Sequence, residues 1–213
     1  MAKPTVREQL EREWQDLLAS LPAGGVREPR WLREGGPMAG ARPAALFAEL
    51  EDVRRSWMEL RASRQLEKHA RRFITPRWTL KDLLGHLASW AQEFRQEAEK
   101  AARGEAFDYA IPYAFSVLGP NQWNQVQVEK RRSQPLREIL REFESETRCL
   151  QELVLELPEE SLQAETFLPW APTGDPAALF RGNAALVVMA KCMHDRHHLG
   201  RIRQWLASLA ERA

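Results

Sequence analysis

A chain of 213 residues, 44% of them hydrophobic, is long enough to bury the core of one sizeable domain or two small ones. Its 31 Lys and Arg against 30 Asp and Glu leave a formal charge of +1, a balance that calls for neither nucleic acid nor an anionic membrane as partner. No apolar run approaches the ~20 residues that span a bilayer, and the charged start MAKPTVREQLERE lacks the apolar stretch of a signal peptide, so the expected location is the cytoplasm.

Hydrophobic periodicity reads as helix nearly throughout, with no period-two segment long enough for a central strand, and the expected class is all-α. A first helix starts at a capping box of Thr5 and Glu8, carries Leu10, Trp14, Leu17 and Leu21 on one stripe, and stops at Pro22. From there to Pro43 the Pro-, Gly- and Arg-rich PAGGVREPRWLREGGPMAGARP reads as an irregular connection pinned at Trp31 and Leu32. A helix from about Ala44 to Ala62 sets Leu46, Leu50, Val53, Trp57 and Leu60 at steps of four and three, the seam of an antiparallel bundle helix.

After the polar stretch RQLEKHARRF, whose His69 reads as a surface residue, Thr79 and Asp82 can cap a helix with an inner face of Leu83, His86, Leu87, Trp90 and Phe94. A loop containing GPNQWNQ leads to a long helix begun by Ser133 and Pro135, carrying Leu136, Ile139, Leu140, Phe143, Thr147, Leu150, Leu153, Val154 and Leu157, ended by Pro158. Beyond the loop FLPWAPTGDP, a last helix from about Asn183 to Leu209 aligns Val187, Ala190, His194, His198, Ile202, Trp205 and Leu209. The chain thus divides into residues 1–43, a helix and a connection, and residues 44–213, a four-helix bundle. Cys149 and Cys192 fall in apolar helical stretches and read as free thiols.

Three of the five histidines crowd into KCMHDRHHLGRIRQWL, residues 191–206. His194 and His198, four apart, differ by roughly 40° around a helix axis and lie one turn apart, so both can face a single ion. His86, on the core stripe of another helix, supplies a third ligand. A metal would satisfy imidazole nitrogens that an apolar core leaves unpaired, and three neutral ligands leave positions open for chemistry. Zn, Ni and Fe all accept imidazole, so the ligand set leaves the ion open. The plain alternative is that the three histidines only hydrogen-bond within the core.

His197 points about 100° away from His198 and suits a flanking, outer-sphere donor. Asp82, one turn before His86, can hold that ring or simply cap the helix. Glu93, two turns after His86, is a candidate acid or base, with a solvated carboxylate as its plain alternative.

WTLKDLLGHLASW, then WNQVQVEKRRSQPLREILREFESETRCLQELVLELPEESL, then MHDRHHLGRIRQWL resemble the DinB-like superfamily of metal-binding four-helix bundles, over roughly residues 44–210. The resemblance implies a divalent ion, Ni or Zn before Fe or Mn, held by His86, His194 and His198. It also implies kinship with thiol-dependent transferases and isomerases that use bacillithiol, mycothiol or a related small thiol, and frequent homodimers. Asn124 falls where related proteins place an asparagine before the third long helix, and is suggested to face the site. The first 43 residues and the additional His197 depart from the minimal pattern. The expected function is a metal-dependent enzyme that activates a thiol or water against an electrophilic small molecule, in detoxification or stress response. The alternative is a non-catalytic bundle that binds a small molecule or partner, with residues 1–43 as a docking element in a third version.

Overall fold

The computed structural model describes residues 42–104, 119–164, 166–168 and 180–211. The expected helix at Thr5 with its apolar stripe, the connection at Trp31 and Leu32, and most of FLPWAPTGDP lie outside them. The described elements are α1 (Pro43–Ala62), α2 (Gln65–His69), α3 (Leu80–Ala102), α4 (Gly119–Arg132), α5 (Leu136–Glu156), α6 (Glu159–Gln163), the strands β1 (Thr166–Leu168) and β2 (Phe180–Gly182), and α7 (Ala184–Ala210). The fold is all-α, as the periodicity implies; the two strands are three residues each and pair only with one another.

The helix starts follow local chemistry. Thr79 Oγ1 accepts the Asp82 amide (3.2 Å) while Asp82 Oδ2 accepts the Thr79 amide (2.9 Å), a reciprocal box that satisfies two donors the first turn of α3 leaves open. Asn183 caps α7 by accepting from the Leu186 amide at 2.9 Å. At α5 the cap position is Pro135, with no side-chain cap bond, so Ser133 does not begin that helix. GPNQWNQ is no loop: it is the first half of α4. Pro120 falls in the first turn, where a missing N–H costs nothing, and the glycine and proline that look like turn signals are helix-start residues.

The stripes expected from the sequence meet in one core. Leu46, Leu50, Val53 and Trp57 of α1, Leu83, Leu87 and Phe94 of α3, Ile139, Phe143 and Val154 of α5, and Val187, Leu199 and Ile202 of α7 are all buried in it. Each of the four long helices touches two others, α1 packing on α5 and α7, and α3 on the same pair.

Polar contacts fix the directions. Glu51 accepts from Gln151 at 3.1 Å and Glu144 from the Trp57 indole at 2.9 Å, so α1 and α5 run antiparallel. Arg196 pairs with Glu49 (2.5 Å) and Arg203 with Glu59 (2.9 Å), so α1 and α7 run parallel. His86 meets His198, and Phe94 meets His194, which makes α3 antiparallel to α7. α3 and α5 therefore run the same way, and a parallel pair of neighbours needs a return connection. α4 supplies it, lying antiparallel on α3 with Trp90 donating to Asn124 (2.8 Å) at one end and Asp82 facing Arg132 (3.5 Å) at the other. Arg131 locks this helix down through Glu142 of α5 and Gln92 of α3.

Among the described residues no helix is long and apolar enough to cross a membrane. Both cysteines are free, Cys192 buried and Cys149 half-buried.

Candidate metal centre

The antiparallel contact of α3 and α7 brings His86, His194 and His198 together. His86 Nε2 lies 3.1 Å from His194 Nε2 and 3.2 Å from His198 Nε2. Ligand nitrogens of the three lie within 4.8 Å of one another, the one such group of histidine, cysteine or acidic residues among the described residues that could hold a metal ion.

These distances test the fit of an ion. Imidazole nitrogens bound tetrahedrally at about 2.0–2.1 Å stand roughly 3.3 Å from each other; the two spacings around His86 match this, and the wider spread of the group, up to 4.8 Å, would have to close on an ion. Hydrogen bonding alone does not satisfy the cluster, because a single Nε2–H on His86 cannot serve two acceptors fully. The Nδ1 atoms of His86 and His198 are buried and have no partner among the described residues. A cation facing three lone pairs would resolve the arrangement.

The surroundings keep the rings of His86 and His198 neutral, the state in which an imidazole ligates. Burial holds His86 well below the ordinary histidine range, with His194 adding to the effect and the Asn124 amide opposing it. Burial, followed by His194 and His86, does the same for His198. His197 falls outside the convergent set. Its ring stands edge-on to His198 at 5.0 Å, and burial, aided by Arg201, brings its pKa down to about 4.

Aromatic rings form one wall of the centre. Trp78 lies 5.2 Å from the His86 ring, and Trp90 lies 5.6 Å from His194 and 4.8 Å from Trp123. Phe94 lies 5.8 Å from His194. Trp90 is thus both core and beside the candidate centre, where the sequence favours core packing over a place in the site. Asn124 lies in this wall, its carbonyl oxygen taking the Trp90 indole N–H.

Asp82 does not hold His86. Its carboxylate is occupied by the Thr79 amide and hydroxyl (2.9 and 2.8 Å) and by Arg132, which leaves it the capping role. Glu93, two turns along α3, is half-buried, and burial raises its carboxyl above the ordinary range despite Lys100, Arg131 and Lys130. His69 is a correction as well: it is buried, its ring covered edge-on by Trp205 of α7 at 6.1 Å.

Sequence reasoning missed Lys191 and Asp195. Both side chains are 0% exposed, paired at 2.5 Å, and Asp195 Oδ1 lies 3.3 Å from His194 Nδ1. Burial alone would raise the Asp195 carboxyl, but Lys191 and His194 hold it below the ordinary range. The signal available was the adjacency of Asp195 to His194 in KCMHD.

A groove of about 780 Å³ runs along α1 and α5 between residues such as Arg54, Met58, Arg141 and Gln151. None of the three histidines lines it, so it is separate from the centre.

The family model of the mycothiol maleylpyruvate isomerase N-terminal domain matches residues 50–188, well over half of the chain. The chain belongs to this family, a DinB-like superfamily domain. The match bears out the resemblance carried by the tryptophan and histidine segments. It contains His86 but ends before His194 and His198, so that part of the ligand set rests on the geometry of this chain. Neither a curated protein nor a solved structure matches the chain significantly.

Proposed function

We propose that the chain is a divalent-metal-dependent enzyme that activates a small thiol, or water, for transfer to or hydrolysis of an electrophilic small molecule. The observation that carries this reading is the convergence of three Nε2 atoms from two core helices at 3.1 and 3.2 Å. His86, His194 and His198 would hold the ion, with Zn or Ni the best match to the nitrogen donors. A divalent ion bound there supplies the Lewis acidity that favours the deprotonated form of a thiol or water near neutral pH.

The chain's own residues supply the rest. Trp78, Trp90, Phe94 and Trp123 limit water around the histidines and offer an apolar face to a substrate. Asn124 is the neutral donor and acceptor in that wall. Glu93, with its carboxyl raised by burial, is the candidate to hold a proton and give it to a leaving group. Cys192 is no nucleophile, since burial pushes its thiol up to about 12; the sulfur that reacts comes from an external thiol. Two free cysteines suit a reducing cytoplasm and a role in detoxification or stress response. A homodimer belongs to the same reading, and sedimentation would give twice the 24.6 kDa of one chain.

The test is a thiol-transfer assay on the metal-loaded, untagged protein beside His194→Ala. Loss of both bound metal and transfer in the variant is expected, and an unchanged rate would sink the mechanism. A folded wild-type protein that takes up no ion would favour the non-catalytic binding bundle.

A further inference from the structure

We propose that Asp195 is the positioning residue of the centre: anchored by Lys191, its carboxylate accepts the Nδ1–H of His194 and so commits the Nε2 lone pair of that ring to the side facing His86 and His198. The inference rests on the metal-centre reading above and deepens it.

The geometry is a short relay through the core of α7. Lys191 Nζ lies 2.5 Å from Asp195 Oδ2, and Asp195 Oδ1 lies 3.3 Å from His194 Nδ1. The ammonium also stands 5.2 Å over the Phe143 ring of α5, so both charges sit inside the bundle rather than at its edge.

Stability is a poor reason for such a pair. Burying two ions costs several kcal/mol each before their attraction is counted, and apolar residues of similar volume often do as well or better. Their order along the helix, base before acid, is also the less favourable one for helix formation. What the pair does provide is an ionised, oriented acceptor beside one ring nitrogen of His194.

That acceptor has a chemical consequence. A neutral imidazole carries its proton on one nitrogen or the other, and a strong acceptor at Nδ1 selects Nδ1–H, leaving Nε2 free to ligate. The other two rings have no such carboxylate: the Nδ1 atoms of His86 and His198 are buried and have no acidic partner among the described residues, and only the neutral Asn124 amide acts on His86. The centre is therefore asymmetric, with His194 the preset ligand and the other two free to adjust.

The test has two arms. In ¹⁵N-histidine spectra of the metal-free wild-type protein, with His194 assigned by the loss of its signals in His194→Gln, a protonated Nδ1 and an unprotonated Nε2 are expected. An Nε2–H on His194 overturns the proposal. In the second arm, Zn affinity is measured by competition with a chromophoric chelator for wild type, Asp195→Asn and the paired Lys191→Met/Asp195→Leu. Both variants are expected to bind Zn about 10- to 100-fold more weakly. Val154→Ala, a buried change on α5 that destabilises without touching the histidines, is expected to leave affinity within about twofold, which separates positioning from general loosening. A folded Asp195→Asn with wild-type Zn affinity overturns the proposal. If wild type takes up no Zn, the metal reading fails on its own, and the tautomer of His194 still decides whether Asp195 orients it.

Discussion

Glu97 shows how burial sets the behaviour of single residues in this bundle. It is 5% exposed, one Oε2 has no partner among the described residues, and burial first, then Glu93, push its carboxyl up to about 8. Because this lies above the ordinary value of 4.5, the folded chain binds more protons than the unfolded one between those pH values. The stability contributed by the neutral carboxyl is complete below about pH 4.5 and is lost as pH rises through about 8. Glu97→Gln should therefore flatten the decline and be the more stable form at pH 9, by on the order of 2 kcal/mol. Urea unfolding at pH 5, 7 and 9 checks this; parallel profiles for the two proteins would contradict it.

Thiol reactivity follows the same logic. A disulfide reagent should label Cys149 in the native protein and reach Cys192 only in denaturant, where both react. At this scale the three convergent histidines were legible because polar residues on apolar stripes demand an explanation. Lys191 and Asp195 were not, since charged residues at helical spacing ordinarily read as a solvated face and nothing local marks them as buried. His69 was misplaced for the converse reason: it stands in a charged run but packs under Trp205.

Helix ends and their caps explain which elements the sequence announced. The box of Thr79 and Asp82 was readable as a motif, and it is formed. Its two possible roles for Asp82 make different predictions. As a cap, Asp82→Ala should cost about 1 kcal/mol of stability while leaving Zn affinity unchanged, measured by thermal unfolding and chelator competition. A large loss of affinity at unchanged stability would restore the ring-holding role.

Gly104, just past α3, adopts φ +64°, so Gly104→Ala should cost about 1–2 kcal/mol by thermal unfolding although a Cβ there meets nothing within 4 Å. α4 was illegible because Trp123 and Val128 are its main buried apolar side chains and it opens on Gly119 and Pro120; two apolar anchors in fourteen residues make no stripe. It is held instead by the Arg131 fork to Glu142 and Gln92, contacts that periodicity cannot reveal.

The whole molecule joins these scales by setting α3 against α7. The core stripes of the four long helices follow from the period, so the all-α bundle was legible. The directions were not, because an amphipathic stripe says which face is buried and not which way its neighbour runs. That α1 and α7 run together against α3 and α5 depends on pairs such as Arg196 with Glu49 and on α4 as the return path.

An ion shared by His86, His194 and His198 would tie α3 to α7 and stabilise the folded chain through mass action. About 2.7 kcal/mol is expected at a free ion concentration a hundred times Kd. Thermal unfolding should thus shift upward with Zn and fall back with chelator in wild type, and His86→Ala should respond to neither.

The most direct measurement is elemental analysis of the purified, untagged protein beside His86→Ala and His194→Ala. Near one divalent ion per chain, lost in both variants, is the predicted result. A wild-type protein that holds no metal after incubation with Zn, Ni, Fe and Mn, or variants that keep it, would contradict the three-histidine centre.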